Sequence, residues 1–368
     1  MHLSRLSLVN FKNYDQLELA FSQKINCFVG DNGTGKTNLL DAIYYLSMTK
    51  SYFNSVDTQN IRHGEEYFLI QGEYLREELP EKIHCGVQKG KHKQFRRNKK
   101  DYTRLSEHIG LLPVVMISPA DSALITEGSD ERRKFINAVI AQFDSEYLES
   151  LMRYNRALNQ RNVLLKDFHR SGKFQKELLE IWDDQLVRNG RYIYEKRLDF
   201  VKDLVPIFQE YYSTVSEGRE KIGLEYDSQL KEKDIGTLLK EHEQKDRILQ
   251  YTTAGIHKDD LVMSLAGHPI KRIGSQGQQK TFLVALKLAK FDFIKKINGF
   301  QPILLLDDVF DKFDARRVRQ IIRLVAEHEF GQIFITDTNR ERIKDVLNDL
   351  SIDYKLYQVE LEGIKEQA

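Results

Sequence analysis

The chain has 368 residues, 41% hydrophobic and 30% charged, a balance typical of a globular protein of about two or three domains that excludes a disordered chain or a small disulfide-held scaffold. Lysine and arginine number 56 against 55 aspartate and glutamate residues, so the formal net charge is only +1. The whole chain therefore has no field that would attract nucleic acid, and any DNA binding must come from local patches.

The sequence shows no sign of membrane insertion or export. The longest apolar runs, residues 111–117 and 303–306, are far shorter than the roughly 20 residues that span a bilayer, and the first residues lack the apolar core of a signal peptide. The only cysteines are Cys27 and Cys85, too few for a disulfide framework. These features predict a cytoplasmic protein with no membrane association.

The N-terminal part of the chain is predicted to be rich in strands. Residues 6–8, 17–21, 67–72 and 83–87 alternate apolar and polar side chains with the period of two that is typical of half-buried strands. An apolar run over residues 24–29 predicts a strand that is buried on both faces.

A glycine-rich segment follows that buried strand directly and matches the G-x-x-x-x-G-K-[ST] pattern of a phosphate-binding loop (P-loop). Glycines let backbone N–H groups wrap closely around phosphates, and the helical run after the loop adds its positive dipole end. We expect Lys36 to reach the β- and γ-phosphate oxygens and Thr37 to place its hydroxyl on Mg²⁺. The predicted nucleotide-binding residues of the loop are Gly30, Asp31, Asn32, Gly33, Thr34, Gly35, Lys36 and Thr37.

Basic residues cluster between residues 89 and 104. One interpretation is contact with DNA phosphates through Arg96, Arg97, Lys99 and Lys100, which would weaken steeply as salt rises. The alternative is a solvated β-hairpin that turns over residues 97–101, where asparagine and aspartate favour a turn.

Helical spacing replaces the strand pattern from Ser129 to about Tyr212. Apolar residues recur there at steps of three, four and seven, and only Gly172 and Gly190 are expected to interrupt the helices. The sequence therefore predicts an α/β core, residues 1–128 and 251–368, with a helical insertion at residues 129–250. The insertion is either a helical subdomain with amphipathic faces or a short helical arm.

Two later segments bear on the same chemistry. Residues 303–308 form an apolar run that ends in Asp307 and Asp308, as expected where a central strand delivers acids to the phosphate end of a sheet. We expect Asp307 to hold Mg²⁺ and Asp308 to act as general base or to orient the attacking water. The alternative is a strand end with two solvated carboxylates.

The other segment, Ser275, Gln276 and Gly277, precedes a helix. It is either a helix cap or a second anion site, which two copies could share by dimerising head to tail.

These segments, taken in order, resemble the motifs of the RecF family, bacterial recombination-mediator ATPases of the SMC/ABC superfamily. The resemblance covers nearly the whole chain, and the ordered set is far more specific than the P-loop alone. The matching segments are residues 6–14, 33–44, 118–121 with Gly128, 132–135, 255–260, 275–279 and 304–310.

The resemblance implies an α/β protein with an ABC-type ATPase head and an inserted α-helical lobe, a short remnant of the SMC arm. ATP with Mg²⁺ would drive formation of a homodimer in which Ser275, Gln276 and Gly277 of one copy face Lys36 of the other. Lys12 and Asn13 would contact the nucleotide. Asp121 would lie in the segment that corresponds to the ABC Q-loop.

The family also implies a function in recombinational repair and replication restart. The dimer would bind gapped DNA at junctions of single and double strand and, with RecO and RecR, promote loading of RecA. A weak, DNA-dependent ATPase activity would act as a switch whose hydrolysis step releases DNA. The shorter Asp308, where transport ATPases usually have glutamate, is consistent with slow turnover.

Some positions depart from the family pattern. Lys12 and Lys258 stand where arginine is common, Ile256 replaces a usual proline, Asn54 lies where arginine is expected, and residues 311–314 replace the usual S-x-L-D loop. Lysine is a point charge without the bidentate fork of arginine, so fine contacts should differ.

The sequence leaves three rival functions: a transporter-coupled ABC ATPase, a small-molecule kinase and another SMC-like repair ATPase. The first is disfavoured because Thr336, Asp337 and Thr338 occupy the position of the switch histidine in transport ATPases. The second would not need residues 275–277, and the third would need a longer helical arm. Separately, His257 near two aspartates is either part of a metal site or part of a hydrogen-bonded turn.

Overall fold

The structure is a computed structural model that describes residues 1–218, 220–310, 320, 321, 324, 330–348 and 354–367. It divides into two compact units. Unit 1 comprises residues 1–122, residues 214–217 and the described residues from 280 onward, and unit 2 comprises residues 123–213 and 218–279. The domain boundaries predicted after residues 128 and 250 stay a prediction.

Strands occur in both units. In chain order they are β1 His2–Phe11, β2 Tyr14–Ala20, β3 Ile25–Val29, β4 Tyr67–Arg76, β5 Leu79–Gln88, β6 Gln94–Arg97, β7 Lys100–Asp101, β8 Val114–Ile117, β9 Ile222–Asp227, β10 Asp260–Leu265, β11 His268–Pro269, β12 Ile303–Asp307, β13 Ile333–Asp337, β14 Tyr354–Glu360 and β15 Gly363–Gln367.

The described helices range from single turns to one helix of 41 residues. They are α1 Lys36–Met48, α2 Ala123–Thr126, α3 Ser129–Ile140, α4 Ser145–Ser171, α5 Lys176–Ser216, α6 Ile235–Leu249, α7 Ile270–Ile273, α8 Gln276–Asn298 and α9 Arg340–Asn348. Among the described residues, none of these helices combines the length and the apolarity needed to cross a membrane.

Unit 1 contains two sheets with α1 between them. One sheet is antiparallel with the order β2-β1-β4-β5-β6-β7, and the other has the order β15-β14-β3-β13-β12-β8 and is parallel except for the β14–β15 pair. Val29 pairs with Asp337, and Asp307 pairs with Thr336. The carboxyl ends of β3, β13 and β12 therefore meet at one edge of the parallel sheet.

The hydrophobic core of unit 1 fixes α1 in place. One buried cluster joins Leu39 and Ile43 of α1 to side chains of both sheets, such as Ile70 and Phe334. Apolar groups on both faces of this helix explain why it is buried almost throughout, although its sequence is not strongly amphipathic. Packing in the core thus determines the position of the start of α1.

Unit 2 contains the predicted helices and the antiparallel sheet β11-β10-β9. Gly172 ends α4 with a φ of 69°, as the sequence predicted. The predicted interruption at Gly190 is wrong, because Gly190 lies inside α5. A Cβ there would crowd Ile235 and the ring of Tyr154, so this glycine serves close packing between helices and does not break one.

A buried ion-pair network ties the helices of unit 2 together. Arg161 on α4 is fully buried and donates from Nε to Asp183 on α5 at 2.6 Å and from Nη1 to Asp246 on α6 at 2.6 Å. Asp246 is fully buried too and also accepts from the backbone N–H of Thr253 at 2.8 Å. One guanidinium therefore neutralises two carboxylates from two other helices.

We expect Arg161→Met to lower the free energy of unfolding by about 3–5 kcal/mol, because it leaves a buried carboxylate without a cation. Urea unfolding followed by fluorescence of Trp182, the single tryptophan and a residue of α5, would measure this effect in unit 2. The control is Arg153→Met, which breaks an exposed pair with Glu149 and should cost no more than about 0.5 kcal/mol. Equal losses in the two variants would contradict the prediction.

Candidate functional site

The P-loop lies between β3 and α1, at the edge where the parallel strands end. Lys36 is 4% exposed, and its Nζ donates to the carbonyl oxygens of Gly30 and Asp31, each at 2.8 Å. Gly33 and Gly35 have φ values of 83° and 110°, a backbone conformation that residues other than glycine rarely adopt. The loop thus curls around the ammonium group that the sequence predicted to meet phosphate oxygens.

Two glycines of the loop are required by close neighbours. A Cβ at Gly30 would overlap the carbonyl oxygen of Val359, and a Cβ at Gly35 would overlap the side-chain amide of Asn13. That amide donates from Nδ2 to the carbonyl oxygen of Thr34 at 3.2 Å. The structure therefore brings Asn13, a predicted nucleotide contact, against the P-loop.

The acidic strand reaches the start of α1. The hydroxyl of Thr37 donates to Asp307 at the end of β12, with Oγ1–Oδ1 and Oγ1–Oδ2 distances of 2.9 and 3.1 Å. The hydroxyl of Thr336 on β13 donates to Asp307 Oδ1 at 2.9 Å and accepts the backbone N–H of Asp308 at 2.9 Å. The two residues predicted for the metal are thus in direct contact.

Asp307 has an unusual environment for a carboxylate. It is 3% exposed, and burial raises the pKa of its carboxyl to about 6 although hydrogen bonds from Thr336 and Thr37 act to lower it. A nearby cation would favour the charged form. Hydroxyl and carboxylate oxygens are the hard donors that Mg²⁺ takes, usually together with waters and phosphate oxygens. Thr37 and Asp307 therefore fit Mg²⁺ chemically.

Asp308 follows β12 in a strained backbone conformation. Its φ is 45°, in the left-handed region, where a residue other than glycine costs about 1–3 kcal/mol. The hydrogen bond from its N–H to Thr336 holds it there. Asp308, the predicted general base, therefore directly follows the strand end and lies beside Asp307, a residue predicted to hold Mg²⁺.

Comparison with known proteins assigns this arrangement to a family. The sequence model of the family described as "RecF/RecN/SMC N terminal domain" matches residues 2–360. The DNA replication and repair protein RecF of Bacteroides thetaiotaomicron is 52% identical over 369 residues, covering 100% of this chain and 99% of that protein. The chain belongs to the RecF family.

Solved structures agree with the RecF assignment. The "Structure of the recombination mediator protein RecF-ATPrS in RecFOR pathway" has a TM-score of 0.89 at 29% identity and covers 100% of this chain and 98% of that one. An Smc head domain from Pyrococcus furiosus, bound to a domain of ScpA, is similar in fold alone, with a TM-score of 0.58, 18% identity and coverage of 100% and 96%. The predicted fold, an ABC-type ATPase head with an inserted helical lobe, is confirmed.

Lys12 forms an ion pair with Asp41 on α1. Its Nζ lies 2.6 Å from Asp41 Oδ2, and the Lys12 side chain is only 11% exposed. Asp41 also accepts from Ser51 Oγ at 2.6 Å and from the backbone N–H of Tyr52 at 2.7 Å. Lys12 thus forms an intramolecular ion pair, and its contact with nucleotide stays a prediction.

The segment predicted to correspond to the Q-loop contacts α8 within unit 1. Asp121 pairs with Lys287 Nζ at 2.5 Å and accepts a hydrogen bond from the hydroxyl of Tyr52. Sequence reasoning missed these partners, as it missed Arg342 of α9, whose Nη2 lies 2.6 Å from Asp337 at the end of β13. The replaced loop at residues 311–314 lies outside the described residues.

Ser275, Gln276 and Gly277 lie in unit 2 at the start of α8. The N–H of Ser275 donates to Gln278 Oε1 at 2.7 Å, and the N–H of Gln278 donates to Ser275 Oγ at 3.3 Å. These reciprocal bonds form a capping box, as the capping alternative predicted. Ser275 and Gln276 remain exposed, and their role as a second anion site stays a prediction.

The basic cluster forms the predicted hairpin. Asn98 and Lys99 both have positive φ, as a two-residue hairpin turn between β6 and β7 requires. Arg96 Nε pairs with Asp101 at 2.8 Å, and Arg97 pairs with the nearly buried Glu81. Lys99 and Lys100 are exposed. Of the four predicted DNA contacts, two arginines therefore already have carboxylate partners.

His257 belongs to a hydrogen-bonded turn in unit 2. Its Nε2 lies 3.0 Å from the carbonyl oxygen of Thr252, which can only accept, and its Nδ1 lies 2.9 Å from the hydroxyl of Tyr154. Burial lowers the pKa of His257 to about 4. Both ring nitrogens are thus engaged in the neutral form, and the described residues contain no group of three or more His, Cys, Asp or Glu side chains that could hold a metal.

The stability of unit 2 should therefore depend on pH through His257. Because its pKa falls from 6.5 to about 4 on folding, its contribution is complete above pH 6.5 and is lost as the pH falls towards 4. We expect the free energy of unfolding to drop by about 3 kcal/mol from this group, and His257→Gln should lack that component. Trp182 fluorescence in urea at several pH values would measure it, with exposed His169→Gln as control. A wild-type pH profile in His257→Gln would contradict the assignment.

Proposed function

We propose that this chain is an ATP-dependent DNA-binding protein of recombinational repair and replication restart. ATP and Mg²⁺ drive homodimer formation, the dimer binds gapped DNA at junctions of single and double strand, and RecO and RecR act with it to load RecA. Hydrolysis releases DNA. The observation that carries the proposal is the direct contact of Thr37 at the P-loop with Asp307 at the end of the acidic strand.

The relatives support the same assignment. The Bacteroides protein that is 52% identical is named for DNA replication and repair, and the solved relative with a TM-score of 0.89 is described as a recombination mediator with ATPrS in the RecFOR pathway. Free, buried Cys27 and Cys85 suit the reducing cytoplasm in which we expect the protein to act.

The P-loop already holds Lys36 in the position from which it would bind phosphate. Lys36 binds the carbonyl oxygens of Gly30 and Asp31, and the same ammonium group can exchange them for phosphate oxygens without a large movement. Mg²⁺ would supply charge neutralisation of the phosphates and of Asp307. Thr37 and Asp307 would hold the ion, and Asp308 would orient the attacking water and take its proton.

Thr336 links these roles. Its hydroxyl bonds both to the carboxylate of Asp307 and to the backbone N–H of Asp308, so a change in the position of Asp307 is passed to Asp308. We propose that this link takes the place of the switch histidine of transport ATPases. For DNA, exposed Lys99 and Lys100 are the better candidates of the hairpin, because Arg96 and Arg97 are already paired.

We expect ATP and Mg²⁺ to tighten binding to a gapped duplex by about tenfold, within the usual range of coupling between two sites. Lys36→Ala should abolish this gain and leave ATP-free binding unchanged, because the bonds that are lost, to phosphate and to the carbonyl oxygens of Gly30 and Asp31, all lie within the P-loop. Fluorescence anisotropy at fixed salt would measure both.

The matched control is Lys24→Ala, which removes an exposed lysine just before β3 and should keep the ATP effect. An ATP effect that survives Lys36→Ala would overturn the proposed nucleotide site, and the absence of any DNA binding in the wild type would overturn the proposed function.

We expect Asp308→Asn to bind ATP normally and to hydrolyse it about 10²–10⁴ times more slowly, the usual effect of losing a general base. Single-turnover hydrolysis and equilibrium nucleotide binding would separate the two steps. Because the bound nucleotide persists, the variant should run as a dimer in light scattering when ATP and Mg²⁺ are present.

Asp167→Asn, which alters an exposed carboxylate on α4, is the control and should match the wild type in turnover. Unchanged turnover in Asp308→Asn would assign the base to another residue. A monomer with ATP bound would contradict the dimer.

A further inference from the structure

Two segments of the family pattern that are not part of the ATP site, residues 132–135 and 255–260, contact each other in unit 2. Arg132 on α3 binds Asp260 on β10 in a bidentate ion pair, with distances of 2.6 and 2.9 Å, across 128 residues of sequence. The next residue, Arg133, donates from Nη1 to the carbonyl oxygen of Asp259 at 2.6 Å. The start of α3 and the turn before β10 therefore form one continuous wall.

A cavity of about 690 Å³ lies against this wall, within unit 2. Its volume falls in the range of about 300–1,000 Å³ that is usual for small-molecule sites. Four cationic side chains and only one carboxylate line it. These charged residues are Arg133, Lys134, Arg197, Lys258 and Asp130.

The inner side of the cavity is held rigidly. Arg197 is 1% exposed and donates to the carbonyl oxygen of Ile256 at 2.9 Å, to Asp259 Oδ2 at 3.0 Å and to Asn137 Oδ1 at 3.0 Å. His257 is fixed by its two hydrogen bonds in the same turn. Since these groups are already ordered, a ligand would not have to order them on binding.

The lysines at the cavity opening are held more weakly. The Lys134 side chain is 71% exposed and pairs with Glu131, whereas the Arg133 side chain is only 12% exposed and also donates to Ser129 Oγ at 2.7 Å. An exposed ion pair such as Lys134–Glu131 contributes about 0–1 kcal/mol, so an anion of higher charge can displace Glu131, and Arg133 is an already ordered donor. Lys258 lies over the ring of Tyr251 at 5.2 Å, and no carboxylate of the described residues forms an ion pair with it.

The lining suits a phosphate monoester better than a carboxylate. Such a group carries nearly two negative charges and three acceptor oxygens, which suits a cavity that several cations line. Asn137 and Asn155 add amide donors to the lining, and Leu151 and Ile256 add apolar surface beside them. The cavity is also much larger than a phosphate ion and leaves room for the sugar and base.

We propose that this cavity binds a nucleotide through its terminal phosphate, with Arg133, Lys134 and Lys258 as the phosphate-binding cations. The nucleotide is either free or the phosphorylated end of a DNA strand, as found at a gap. The strand-end source rests on the proposed DNA-binding function, and the free nucleotide does not.

The first experiment is calorimetric titration of the full chain, saturated with ATP, with thymidine 5′-monophosphate. Thymidine without phosphate is the matched probe and should not bind. The double variant Lys134→Gln, Lys258→Gln should bind the monophosphate about tenfold more weakly, the effect of losing a charge-assisted hydrogen bond. The control double variant Lys202→Gln, Lys240→Gln removes two exposed charges of unit 2 outside the cavity and should match the wild type.

The second experiment uses anisotropy of a gapped duplex whose 5′ end at the gap carries either phosphate or hydroxyl. Tighter binding of the phosphorylated duplex, lost in the Lys134, Lys258 double variant and kept in the control, assigns the strand end as the source. Binding of the monophosphate without such discrimination assigns a free nucleotide.

The proposal is overturned if the wild type neither binds the monophosphate nor discriminates the duplexes. It is equally overturned if the double variant has a wild-type melting temperature and still binds the monophosphate and discriminates the duplexes as the wild type does. If the double variant melts at a lower temperature, the single variant Lys258→Gln replaces it in both experiments. Repeating the titration with Lys36→Ala separates the two sites, because binding to the cavity should persist when the P-loop is disabled.

Discussion

The nucleotide site depends on one shared carboxylate. Asp307 accepts hydrogen bonds from Thr37 at the start of α1 and from Thr336 on the neighbouring strand, so a helix and two strands converge on a single side chain. A buried carboxylate is costly unless it is bonded or neutralised, and the raised pKa of Asp307 reflects that cost. The hydrogen bonds from Thr37 and Thr336 offset part of that cost, and a cation beside Asp307 would offset more of it.

That convergence requires the parallel register of the sheet. Pairing of Asp307 with Thr336, and of Asp337 with Val29, brings three strand ends level with the P-loop. A shift of one residue would turn each of these side chains to the opposite face. Packing of α1 between two sheets fixes the other side of the site, so the geometry of the loop follows from the core as well as from its own glycines.

The sequence predicted what is contiguous in the chain. The P-loop, its preceding strand and the acidic strand could be identified because their patterns occupy a few successive residues. The bond from Thr336 to Asp307 could not be predicted, since it depends on the order of strands in the sheet. Gly190 was misjudged for a similar reason: a glycine in a helical pattern indicates either a break or close packing, and only the neighbours Tyr154 and Ile235 decide between them.

The charged residues show most clearly that sequence patterns do not predict contacts between distant parts of the chain. The count of basic residues leaves DNA contact and a solvated hairpin both open; in the structure Arg97 neutralises Glu81, and Arg132 neutralises Asp260 in unit 2. An arginine bound in this way stabilises its own unit, and its charge is largely cancelled at short range. Binding capacity therefore depends on which cations stay unpaired, such as Lys258, or are held only in exposed ion pairs, such as Lys134, and this is a property of the folded chain and not of its composition. For a protein with a net charge of +1, the location of those residual cations decides where anionic ligands can bind.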